Sequence, residues 1–269
     1  MERGVFRPRV RDMTQSDAVF SAEGPIGFFT LNRPRAGNAM TWAMYDALIA
    51  ACDRVDADRA VRVFVIRANG GVFCTGTDIA QFRSFASGED GLAYEQRLES
   101  ALTRLERVEV PTIAQVEGIA AGAGLALALA CDLRVCSPAA RFGVPIARTL
   151  GNALSIENCA RLIQHLGPTL THDLLFTGRL CGAEDAGIAT RIADPPQVPH
   201  AVDELAATIV KNAPLTLRAS KIALRHLATA QRDAPSRVRE SIAACYASDD
   251  FRQAVFAFLD KRPPVFNGR

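Results

Sequence analysis

Two glycine-containing segments of this 269-residue sequence hold backbone amides suited to binding a single oxygen atom. In the first, Gly76-Thr77-Asp78 lies between an apolar run, VRVFVI (61–66), and a helical segment. In the second, GIAAGAGLALALACDL (118–133), glycines enter an apolar run that carries no charge until Asp132. The first turn of a helix leaves N–H groups unpaired and adds a dipole that favours negative charge. Small residues there let a carbonyl oxygen reach hydrogen-bond distance, and one such donor is half of an oxyanion hole. Asp78 itself reads first as a helix-capping carboxylate.

The second segment does not fit a nucleotide. After Gly122-Ala123-Gly124 the third glycine position of a dinucleotide fingerprint is Leu127. About twenty residues downstream the sequence runs from Arg141 to Pro145 without an acid, and a Gly-Lys-Ser/Thr phosphate loop is absent. Groups that can move a proton lie elsewhere. Glu157 stands on a helix starting near Ser155, Glu95 and Glu99 on an earlier helix, and His165 and His172 flank LGPTLT. Glu157 is the foremost candidate acid or base, although a helix carboxylate is commonly only a solvated charge. No Ser-His-Asp spacing stands out.

The elements that must position these groups follow from periodicity. AVFSA and IGFFTL (within 18–31) read as two strands turned at Glu23-Gly24-Pro25. Thr41 caps a helix over 42–57 whose apolar face includes Met44, Leu48, Ala51 and Val55. VRVFVI reads as a strand buried on both faces. Residues 91–107 are helical, 112–118 a strand, the glycine-led run a helix, and DLRVCS a strand. Strand, glycine turn, helix, strand implies an α/β core with crossover connections. From about 200 the pattern changes to helices over 201–212, 215–229, 236–247 and 250–259. DPPQVP marks a boundary near 195–200, and these helices need the core or another subunit to bury their apolar faces.

Bulk properties narrow the classes. Thirty-one basic against 29 acidic residues give a net charge of +2, without a lysine block, which argues against nucleic acid as a partner. The longest uncharged apolar run is too short and glycine-rich to span a bilayer. The N-terminus lacks the apolar segment of a secretory signal. Seven scattered cysteines with no CxxC pair support neither a metal site nor a disulfide framework, and fit a cytoplasmic, reducing location.

FFTLNRPRAGNAMT, VRVFVIRANGGVFCTGTDI and PTIAQVEGIAAGAGLALALACDLRVCSPAARFGVP resemble, in order and spacing, the crotonase (enoyl-CoA hydratase/isomerase) superfamily. DDFRQAVFAFLDKRPPVF resembles the family's closing helix, so the similarity runs from about residue 18 to the C-terminus. The resemblance implies a spiral of ββα repeats over 18–198, following an N-terminal extension over 1–17. A helical trimerisation region would span 199–269, in a homotrimer or dimer of trimers. It also implies an acyl-CoA thioester substrate, with no cofactor beyond the CoA of the substrate itself. The amides of Thr77 and Ala123 would bind the thioester oxygen. Thr75, Gly76, Asp78, Ile79 and Gly122 would line the substrate site, and Arg33, Arg35 and Ala36 would lie near the CoA nucleotide. Phe258, Lys261 and Phe266 match positions that contact adenine and phosphates, sometimes from a neighbouring subunit.

Two departures fall inside well-matched motifs. Hydratases of this family use two glutamates, and the matching positions here hold Ala126 and Ile146. Neither side chain can transfer a proton. RTLGNALSIENCARL, which follows, is longer than the family's usual stretch and can reshape the acyl pocket. The expectation is therefore isomerisation, hydrolysis or another reaction that differs from two-glutamate hydration. The alternative is a catalytically silent acyl-CoA-binding paralogue.

Overall fold

The computed structural model describes residues 16–229 and 236–265. Most of the N-terminal extension, and Phe266, lie outside the described residues. Two strands, β1 (Ala18–Glu23) and β2 (Ile26–Leu31), form the expected hairpin. Thr41 caps α1 (Trp42–Ala57), accepting from the Met44 amide, and all four predicted apolar positions are buried. β3 (Val63–Ala68) pairs in parallel with β2 and with β4 (Thr112–Val116), and Val63 to Ile66 have no exposed surface.

Between them runs α2 (Gly88–Glu106), begun by a capping box in which Ser87 and Asp90 each satisfy the other's amide. After β4, the segment expected to be all helix starts with a short strand, β5 (Ile119–Ala121), and only then becomes α3 (Ala123–Leu129). Three residues are too few to display a period of two, so hydrophobic patterning alone cannot find β5. Its pairing is long-range, with β7 (Arg141–Gly143), which in turn pairs with β8 (Leu180–Gly182). β6 (Leu133–Cys136) and β9 (Arg191–Ile192) complete the main sheet, ordered β1-β2-β3-β4-β6-β9. Apart from the β1–β2 hairpin its neighbours are parallel, as crossover connections require.

α4 (Ile146–Thr149) and α5 (Ile156–Thr177) lead away from β7, with Ser155 as the α5 cap and a break at Gly167, where φ is +71° before Pro168. A one-turn helix, α6 (Ala183–Ala186), precedes α7 (Val198–Val210). α7 covers the sheet: Val198, Val202, Leu205, Ala206 and Ile209 pack with Phe28, Val63, Val65, Ile113 and Val135. Burial of each large side chain stabilises by about 1.5–3 kcal/mol. The change of pattern near 195–200 thus marks the entry to a helix that forms one layer of the core.

The last helices are α8 (Pro214–Thr229), α9 (Ser236–Ala247) and α10 (Asp249–Leu259). α9 lies close against α2 because α2 presents glycines. A methyl at Gly91 would stand 2.0 Å from the Tyr246 ring, and one at Gly88 would stand 2.4 Å from the Ala243 carbonyl oxygen. Asp132, which ends the apolar run, accepts from the Thr112 amide and hydroxyl and from Lys221 Nζ (2.7, 2.9 and 2.7 Å). That carboxylate ties β4 and α8 to the loop between α3 and β6.

Candidate active site

Both glycine segments come together. Cys74 bridges Ala120, donating to the Ile119 carbonyl and accepting from the Ala121 amide, each at 2.9 Å. Beyond the bridge, a methyl at Gly76 would sit 3.4 Å from Ala121 O and 3.9 Å from Ala123 N. Gly76 and Gly122 have φ of +120° and +53°, conformations that an L side chain strains to reach. Gly124 is tighter still, since a Cβ there would lie 2.1 Å from the Cys74 carbonyl oxygen.

This approach leaves two amides available. Met40 donates to Gly76 O, and Asp78 donates to Met40 O, so the intervening Thr77 turns its own N–H away from Met40. Ala123 is the first residue of α3, where an amide has no carbonyl one turn back. Among the described residues, neither amide donates a backbone hydrogen bond.

The Thr77 hydroxyl lies between two phenols, 2.7 Å from Tyr45 Oη and 2.9 Å from Tyr94 Oη. Burial pushes both phenols up, so they are neutral hydrogen-bonding groups. Thr77→Val is expected to destabilise the fold by about 1–3 kcal/mol by orphaning the buried Tyr45 hydroxyl. Because the backbone amide remains, turnover should fall far less than stability, a contrast that denaturation and kinetics on one preparation will check.

The 33–38 loop seats against the same segment. Arg33 donates to Ala39 O at 2.6 Å and to Asp78 Oδ2 at 2.9 Å, while Asp78 also caps the 3-10 turn Ile79–Ser84 through the Ala80 amide. Arg33 and Asp78 thus join the two segments, and Arg35 and Ala36 stand exposed beside them. Thr75 is exposed and donates to Gly37 O through both its amide and its hydroxyl. The keystone is Asn38, fully buried at φ +54°. It accepts from the Arg33 amide and donates to the carbonyls of Asn69 and Val72. Asn38→Ala is expected to cost about 3 kcal/mol, since it strands these groups and puts a Cβ residue without local hydrogen bonds at positive φ. A denaturant midpoint will measure the loss. Phe258 is half exposed on α10 and Lys261 follows it at φ +57°.

Ala123 forms part of the wall of a narrow cavity of about 30 Å³. Ala126 and Ile146, the positions without carboxylates, also line it. A different carboxyl reaches the same cavity: Glu95 of α2, which is 4% exposed. Its Oε1 accepts from Tyr246 Oη at 2.8 Å and its Oε2 from the Ser155 amide at 3.0 Å. Tyr246 Oη in turn accepts from Asn152 Nδ2 at 3.0 Å. Burial, outweighing these two donors and aided by the charges of Glu99 and Glu157, raises the Glu95 carboxyl to about 7.

Glu157, the foremost sequence candidate, does not line this cavity. It faces the outer cleft between α2 and α5 with Glu99 and Thr103. The signal for Glu95 was present in the sequence: it occupies the apolar stripe of α2 with Tyr94, Leu98, Leu102 and Leu105. An ionisable residue at a core position needs a partner or a function. Arg161, only 1% exposed, is not among the residues singled out in the sequence. It binds Glu99 Oε1 at 2.9 Å, Glu106 Oε1 at 2.8 Å and Asn158 Oδ1 at 2.5 Å.

Two β-sheets joined by parallel crossovers, with two glycine segments brought together beside a narrow cavity, define a protein of the crotonase fold class. The family model for enoyl-CoA hydratase/isomerase matches residues 21–269, and the chain belongs to that family. It is 34% identical to the bovine (Bos taurus) mitochondrial enoyl-CoA hydratase domain-containing protein 2, over 93% of this chain and 88% of that one. A solved enoyl-CoA hydratase/isomerase family structure from Hyphomonas neptunium shares 32% identity at a TM-score of 0.76, covering 96% of this chain and 99% of that one. A methylmalonyl-CoA decarboxylase in complex with 2-nitronate-propionyl-CoA shares the fold at a TM-score of 0.86 and 24% identity, covering 94% and 99%.

Proposed function

We propose that this chain is an acyl-CoA isomerase that moves a double bond with one carboxyl group. The observation that carries the reading is Glu95, a buried carboxyl raised to about 7 on the cavity that Ala123 lines. The thioester oxygen of a 3-enoyl-CoA accepts from the Thr77 and Ala123 amides. Glu95 as carboxylate removes a proton from C2, and the C2–H electron pair delocalises onto the thioester oxygen as a dienolate. The protonated Glu95 then returns that proton at C4, giving the 2-enoyl-CoA and restoring the carboxylate. One group serves as base and acid in turn, so Ala126 and Ile146 cost the reaction nothing. Donors aimed at the developing negative charge contribute several kcal/mol to such a step.

Vinylacetyl-CoA offered to the protein should become crotonyl-CoA, followed by absorbance of the conjugated thioester. In D₂O deuterium should enter the product only to the extent that the protonated Glu95 exchanges with solvent before it returns its proton. Most turnovers should therefore carry the substrate's own hydrogen from C2 to C4. Thioester binding without conversion and without deuterium uptake would instead favour a silent acyl-CoA-binding protein. The exposed apolar side chains of α8, Leu215, Leu224 and Leu227, support assembly as a homotrimer or dimer of trimers. Sedimentation equilibrium will read that state directly.

A further inference from the structure

We infer that the cavity beside Ala123 takes a short acyl chain whose distal carbon carries an uncharged hydroxyl group, held between Asn152 and Asn158. The inference rests on the acyl-CoA reading above and names its substrate class.

Asn158 is 3% exposed on the first turn of α5. Its Oδ1 accepts from Arg161 at 2.5 Å, which fixes the amide's orientation and turns Nδ2 the other way. Asn152 is fixed likewise, because its Nδ2 donates to Tyr246 Oη, whose own proton goes to Glu95. The opposite ends, Asn158 Nδ2 and Asn152 Oδ1, are buried and have no hydrogen-bond partner among the described residues. Both asparagines line the cavity that Glu95 and Ala123 share. Buried polar atoms are nearly always paired, so one lone donor and one lone acceptor in a common wall mark the place of a ligand group. A hydroxyl is the group that both accepts a hydrogen bond and donates one.

Charge and size narrow the chemistry. Arg161 is the guanidinium of this wall, and Glu99 and Glu106 already hold it. A terminal carboxylate would therefore meet Glu95 without a cation to balance it. The cavity is narrow, about 30 Å³, which favours a short chain over a long one.

Calorimetric titration of the full-length protein with 4-hydroxybutyryl-CoA, butyryl-CoA and glutaryl-CoA tests this. The hydroxyacyl thioester should bind about 10-fold more tightly than butyryl-CoA, because the latter leaves both asparagine ends unpaired. Glutaryl-CoA should bind most weakly. Asn158→Asp keeps the acceptor for Arg161 and removes the donor, so the hydroxyl preference should fall toward one while butyryl-CoA still binds. Asn152→Leu should lower the same preference by removing the acceptor. Equal affinity for butyryl and hydroxybutyryl thioesters, as an enclosed water in place of the hydroxyl would give, overturns the inference. Tightest binding of glutaryl-CoA overturns it too. Failure of all three to bind removes the acyl-CoA reading along with it.

Discussion

Glu95→Gln is expected to lower kcat for double-bond migration by about 10²–10⁴, the usual contribution of a positioned general base. The substitution is close to isosteric and its hydrogen bonds can be re-formed. The amide oxygen accepts from Ser155 N–H, and the amide nitrogen donates to Tyr246 Oη once the Asn152 side chain flips to turn its Oδ1, in place of Nδ2, toward the phenol proton. Substrate binding should therefore change little, and the loss should appear in kcat. In the wild type, kcat/KM should rise with pH through about 7, because the base must be ionised and burial holds the Glu95 carboxyl at about 7.

Stability runs in the opposite sense to activity. The folded chain holds the Glu95 proton up to about pH 7, and the unfolded chain loses it near 4.5. Stability from this group is complete below 4.5 and is lost as pH rises to 7. Ionising the buried carboxyl costs about 3 kcal/mol at pH 8, and the glutamine variant avoids that cost. The variant should consequently be more stable than wild type at pH 8 and close to it at pH 4.5. Wild-type turnover by Glu95→Gln, or a flat pH profile between 6 and 8, would show that Glu95 is not the base.

Gly124→Ala is the second large effect. The added Cβ would stand 2.1 Å from the Cys74 carbonyl oxygen and 2.8 Å from the Cys74 Cβ, and backbone cannot yield as a flexible side chain does. α3 must move away from the Cys74 segment, taking the Ala123 amide away from Thr77. Loss of one oxyanion donor lowers kcat by about 10²–10³. Overpacking adds about 1–3 kcal/mol of destabilisation. Ala128→Gly, in the same helix and fully buried, serves as a control. It weakens the helix by about 1 kcal/mol without forcing α3 off the Cys74 segment, so its activity should hold while its stability falls. Full activity in Gly124→Ala would mean that the spacing of the two amides does not matter.

The sequence by itself determined what depends on near neighbours. The β1–β2 turn, the Thr41 cap, the helix start near Ser155 and the apolar face of α1 follow from residue types a few positions apart, and the structure keeps each of them. The glycines around Thr77 and Ala123 were legible for the same reason: they mark where backbone must come close or turn through positive φ. The absence of carboxylates at 126 and 146 was also plain, because a missing functional group needs no coordinates.

Only the tertiary structure decided which group faces that gap. Glu95 and Ala123 belong to different helices, and Tyr246, which orients Glu95, is 151 positions away. Glu157 stands closer in sequence to the expected position, yet its place in the first turn of α5 turns it to the outer cleft. The free ends of Asn152 and Asn158 are visible only once Arg161 and Tyr246 have taken the other ends. Helical and strand periods report which face of an element is apolar. Which polar group stands in that face opposite a cavity is set by crossings between elements, and no local pattern carries that information.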